Sequence, residues 1–226
     1  MTTGVPDQTG DNPLVRSVFL QGPAGRLEAI LNTGSTQASY AALVCHPHPR
    51  HGGTLHNKVV FHAMKALNRF GFPVLRFNFR GVGLSDGAYD QGRGEVGDVR
   101  AALDWLHQEY RLPIIFSGFS FGAAIGLQAA CPDARVKLIV SLGTPVRLDD
   151  EELEYRELPE CSTPMLFVSG GSDRYGPRDA VERLAGTVRG TPRVVFIDMA
   201  DHFFTGHIEE MQQTIQDWIA ESSGQL

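Results

Sequence analysis

The pattern of apolar and polar positions changes near residue 40. Before it, two short alternating runs, residues 15–20 and 26–31, flank Gly22-Pro23-Ala24-Gly25 and read as a β-hairpin. After it, compact apolar runs alternate with segments of helical spacing. Residues 40–45, 73–79, 113–117, 136–142, 164–169 and 194–197 have the length and composition of strands buried on both faces. Residues 57–70, 121–130, 177–188 and 207–220 read as helices. So does a segment carrying Val96, Val99, Leu103 and Leu106 that ends near Tyr110. Alternating strand and helix predicts right-handed βαβ units, hence a mostly parallel central sheet with helices on both faces and an antiparallel N-terminal hairpin. Residues 1–13 are small and polar and read as a flexible segment ahead of a single domain over 14–222.

Two segments match G-x-S-x-G: Gly118-Phe119-Ser120-Phe121-Gly122 and Gly83-Leu84-Ser85-Asp86-Gly87. The motif needs a strand before it and a helix after it. Only the first has both. Its glycines relieve the crowding of a sharp turn, and the helix that follows points its positive end at the serine. Ser120 is therefore the candidate nucleophile, and Ser85 reads as structural. A serine hydroxyl needs a neighbouring base. In α/β sheets such groups gather at the carboxyl ends of strands. Asp173 follows the strand at 164–169, and His202 follows the one at 194–197. Asp198 and Asp201 are rival acids, and His207 is a rival base.

With these residues in place, the chain resembles the α/β-hydrolase superfamily, in particular its small cap-less branch similar to dienelactone hydrolases and short-chain carboxylesterases. The resemblance rests on Cys45-His46-Pro47-His48-Pro49, Arg80-Gly81-Val82-Gly83-Leu84-Ser85, the Ser120 elbow, Gly171-Ser172-Asp173 and Asp201-His202-Phe203-Phe204. It implies an α/β-hydrolase fold and a catalytic triad of Ser120, Asp173 and His202. Dienelactone hydrolases carry a cysteine nucleophile; serine here favours ester chemistry. The oxyanion hole is expected from the backbone N–H of Phe121, the residue after the nucleophile, and from the loop at 46–49. Proline has no N–H, so His48 is the donor expected within 47–49, with Arg50 and later amides as alternatives. Phe119, Phe203 and Phe204 are candidate pocket residues, and the 80–83 loop is expected at the rim.

About twenty residues separate the strand ending at Leu142 from the next at Pro164, too few for a large cap. An open site favours short acyl chains. Acyl transfer, thioester or peptide hydrolysis by the same triad, and a non-catalytic binding role, are the alternatives. His46, His48, His51 and His56 match no standard zinc spacing, and Gly92-Arg93-Gly94-Glu95-Val96-Gly97 lacks the preceding strand of a dinucleotide fingerprint. No metal or cofactor is expected. A net charge of −6 gives no basic field for nucleic acid. No run reaches the roughly 18 apolar residues of a membrane helix, and no secretory signal is visible, so the expected setting is cytoplasmic and the expected partner a small-molecule ester. Cys45, Cys131 and Cys161 form no even framework, which reads as a reducing compartment. The exposed hairpin edge offers a route to a homodimer.

Overall fold

In a computed structural model, residues 15–148 and 151–223 are described. In chain order the strands are β1 (Val15–Gly22), β2 (Gly25–Asn32), β3 (Ala41–Cys45), β4 (Val74–Phe77), β5 (Ile114–Phe119), β6 (Val136–Leu142), β7 (Arg147–Leu148), β8 (Glu151–Glu152), β9 (Met165–Gly170) and β10 (Arg193–Ile197). The helices are α1 (Lys58–Asn68), α2 (Arg93–Tyr110), α3 (Phe121–Ala130), α4 (Arg178–Ala185) and α5 (Ile208–Ser223). Residues 1–13, expected to be flexible, lie outside the described residues.

Eight strands form one sheet in the order β1-β2-β4-β3-β5-β6-β9-β10. The hairpin β1–β2 joins β4 antiparallel, and every pairing from β4 to β10 is parallel. Successive side chains on a strand face opposite ways, and β3 shows what that requires. Ala41, Leu43 and Cys45 belong to the core beneath α2 and α3, whereas Ala42 and Val44 belong to the opposite core, which α1 covers over this strand. A strand that fills two cores at once must be continuously apolar.

From β3 the chain moves outward to β4, then crosses back over β3 to β5. The sheet therefore has its topological switch point between β3 and β5, where the following loops diverge and leave a crevice at the carboxyl ends. The β4–α2 loop is tied down onto α2. The Arg80 guanidinium donates to both Asp98 oxygens at 2.9 and 2.7 Å and to the Gly94 carbonyl at 2.6 Å. A Cβ at Gly94 would lie 1.9 Å from the Arg80 Nη1. The glycines of the G-x-G-x-x-G run thus sit at the start of α2, where one of them admits an arginine.

Among the described residues between β6 and β9, the regular elements are the small hairpin β7–β8 and a short 3₁₀ turn, Leu158–Glu160. Asp149 and Asp150, between β7 and β8, lie outside the described residues. Among the described residues no helix is long and apolar enough to cross a membrane.

The cysteines depart from the expectation. Cys131, at the end of α3, is disulfide-bonded to Cys161, just ahead of β9, with Cα atoms 5.2 Å apart. Cys45 is free and buried. An odd count says nothing about which two positions the fold brings together. The bridge closes a loop of sequence separation 30. Its reduction, or Cys161→Ser, should lower stability by about 3–4 kcal/mol from loop-closure entropy, measured as the shift in urea unfolding with and without dithiothreitol.

Candidate active site

Ser120 stands between β5 and α3 with φ 55° and ψ −120°. This region is nearly closed to residues with a Cβ, so the surroundings must hold it there. Its N–H donates to the Leu142 carbonyl at 2.9 Å, and its carbonyl accepts from Ala123 and Ala124. The flanking glycines are required by close approach. A Cβ on Gly122 would lie 2.5 Å from the His46 carbonyl oxygen and 2.6 Å from that of Cys45. A Cβ on Gly118 would lie 2.4 Å from the Gly122 oxygen.

Three loops deliver the sequence-predicted triad to one place. His202 Nε2 is 2.9 Å from Ser120 Oγ, and His202 Nδ1 is 2.7 Å from Asp173 Oδ2. All three residues are buried. A carboxylate only accepts, so Nδ1 carries the proton and Nε2 keeps its lone pair toward the serine hydroxyl. The other Asp173 oxygen accepts from the N–H groups of Tyr175 and Gly176 at 2.8 and 3.4 Å. The imidazole is held between rings, with centroids of Phe119, Tyr175 and Phe203 at 5.0, 4.6 and 5.2 Å.

The rivals are engaged elsewhere. Asp198 is exposed and pairs with Arg178. Asp201 accepts from the N–H groups of Thr205 and Phe203, and the Thr205 N–H in particular holds its carboxyl below the usual range. It caps the turn that presents His202. His207 pairs with Glu210 at the start of α5. Ser85 donates to the Asn78 carbonyl and accepts from the Glu28 N–H, which ties its loop to the hairpin.

The loop after β3 lies against the elbow. Phe121 opens α3, so its N–H belongs to the first turn, which has no intrahelical acceptors. The ring of His48 sits 4.9 Å from that of Phe121. Of the alternative donors, the Arg50 N–H points to His48 Nδ1, and those of His51 and Gly53 point to the His48 carbonyl. Because His48 Nδ1 accepts, its Nε2 carries hydrogen and donates to the Tyr89 oxygen at 3.2 Å. Tyr89 has no signal in the sequence, since it sits in an irregular loop. His46 locks the same loop from below: Nδ1–H donates to the Pro47 carbonyl at 2.6 Å, and Nε2 accepts from the Phe79 N–H at 3.0 Å.

A cleft of about 110 Å³ opens over Ser120. Phe203 lines it, as does Tyr175, which sequence reasoning missed; its place two residues after the acid is the available clue. Phe119 and Phe204 do not line it. Both are fully buried in the core with α1 and α5, because Phe119 is the last residue of β5 and faces inward, and a φ of 54° accompanies the inward turn of Phe204. Nor does the 80–83 loop reach the cleft lining; it packs on the hairpin through Glu28, Ser85 and Asp86. Among the described residues no three His, Cys, Asp or Glu side chains gather as a metal-holding group.

A family model for the alpha/beta hydrolase fold matches residues 50–160. The chain is 35% identical over 209 residues to an uncharacterized protein of Rickettsia prowazekii (strain Madrid E), across 89% of this chain and 87% of that one. It is similar to the structure of an alpha-beta serine hydrolase homologue from Coxiella burnetii, with a TM-score of 0.82 and 35% identity over 89% of this chain and 96% of the other. It is also similar to a member of the a/b serine hydrolases without lid from Xanthomonas campestris, with a TM-score of 0.80 and 30% identity over 92% and 94% of the two chains.

Burial pushes the His46 pKa down to about 4, opposed by the bond to Pro47 and reinforced by His48. The unfolded chain takes up this proton near pH 6.5 and the folded chain only near 4. Stability should therefore be full above pH 6.5 and fall as pH drops toward 4, by about 3 kcal/mol from this residue. In urea melts at pH 7 and pH 4.5, His46→Gln should lose less stability on acidification than the parent protein.

Proposed function

The chain belongs to the alpha/beta-hydrolase family, and from that premise we propose that it is a serine hydrolase cleaving carboxylic esters of short acyl chain through an acyl-enzyme on Ser120. The observation that carries this reading is the unbroken hydrogen-bonded line from Ser120 Oγ through His202 to Asp173 beneath an open cleft. His202 Nε2 takes the hydroxyl proton as Oγ attacks the acyl carbon. Asp173 keeps the proton on Nδ1 and stabilises the imidazolium. The oxyanion forms beside the first turn of α3, where the Phe121 N–H and that of His48 stabilise it. The imidazolium then protonates the leaving alcohol. Water, deprotonated by His202, attacks the acyl-enzyme and releases the acid.

The short insertion between β6 and β9 supports an uncovered site and small acyl groups. The Cys131–Cys161 bridge is the feature that speaks against a reducing compartment.

Ser120→Ala should abolish both p-nitrophenyl acetate hydrolysis and labelling by a fluorophosphonate probe; an undiminished rate would overturn the proposal. Asp173→Asn should lower kcat by about 10³–10⁴-fold, because the amide no longer fixes the productive tautomer. Across p-nitrophenyl esters, kcat/KM should be highest at two to four carbons, about tenfold or more above the decanoate, since no covered channel receives a long chain.

A further inference from the structure

Sheet order decides what a substrate at Ser120 meets. β3 lies on one side of β5, and β6, β9 and β10 follow on the other. The loop after β3 therefore brings His48, His51 and the backbone of Gly52 and Gly53 to one flank of the cleft, and the loops after β9 and β10 bring Tyr175 and Phe203 to the opposite flank. The rings of His48 and His51 are stacked, 4.4 Å apart and 22° from parallel. Tyr175 and Phe203 are 43% and 52% exposed, large side chains left outside the core. A Cβ at Gly52 would meet nothing within 4 Å, so the backbone is open there, whereas one at Gly53 would lie 2.1 Å from the Pro47 carbonyl oxygen.

The composition of the lining is selective. None of the ten residues lining the cleft is Leu, Ile, Val or Met, and none is Lys, Arg, Asp or Glu. An alkyl chain gains from being covered, and these flanks are not built to cover one. Flat π surfaces on both sides favour a ring, through offset and edge-on contacts worth more than the area they bury.

We propose that the cleft selects esters carrying a flat aromatic group, seated between the His48–His51 pair and the Tyr175–Phe203 pair, with a small group on the other half. This rests on the ester-hydrolase reading above.

The test uses the whole protein and two matched pairs. Methyl phenylacetate against methyl cyclohexylacetate places the ring on the acyl half. Benzyl acetate against cyclohexylmethyl acetate places it on the alcohol half. In both pairs a methylene separates ring from ester, so intrinsic reactivity is nearly matched. The aromatic member of at least one pair should be preferred about three- to tenfold in kcat/KM. Phe203→Leu and Tyr175→Leu, both at exposed positions, should each bring that ratio toward one. Equal kcat/KM within both pairs overturns the aromatic selection while leaving the ester hydrolase intact. A ratio unchanged in both variants overturns the assignment of these walls. Hydrolysis of none of the four esters, with no fluorophosphonate labelling, removes the ester reading itself and this inference with it.

Discussion

The close approach of the elbow to the end of β3 governs the rest of the site. Gly122 lies against the carbonyls of Cys45 and His46 so tightly that no side chain fits between them. That contact exists because β3 and β5 are neighbours across the switch point, with their loops leaving in different directions. It brings the first turn of α3 and the His48 loop side by side. It also helps hold Ser120 in a backbone conformation that an isolated chain would abandon.

Around this contact the work is divided between rigid and irregular elements. Strands β5, β9 and β10 set where each chemical group emerges, and short loops set how it points. Asp173 is oriented by two backbone amides of its own turn, His202 by a turn that Asp201 caps, and the His48 loop by the buried imidazole of His46. Behind them the Arg80–Asp98 pair fixes the loop that carries Tyr89 to His48. Each orienting group is itself hydrogen-bonded, so little reorganisation stands between this arrangement and the one the reaction needs.

What could be read from the sequence follows from how each feature is encoded. Parallel strands buried on both faces must be apolar throughout, and α3 begins and ends at Phe121 and Ala130 as its composition indicates. The two glycines around Ser120 are imposed by local contacts, and local contacts leave a local motif. Asp173 and His202 are found because they follow strands. Neighbouring phenylalanines are another matter: Phe203 faces the cleft and Phe204 the core, and a left-handed backbone accompanies the change of direction. No periodic pattern encodes such a turn. Tyr89 and Tyr175 escape for the same reason. The Cys131–Cys161 bridge depends on where a helix ends relative to a strand's start, a distance no spacing along the chain records.

That bridge and the hydrogen-bonded line join the same two stretches of chain at opposite ends. Ser120 and Cys131 bracket α3, while Cys161 and Asp173 bracket β9. The small hairpin β7–β8 lies inside the loop that the disulfide closes. A protease cutting there would sever the backbone without separating the fragments. The nucleophile would stay in a piece covalently linked to the one holding the acid and the base. In an environment rich in proteases, this insertion is thus a place where the molecule can be nicked and still remain one body.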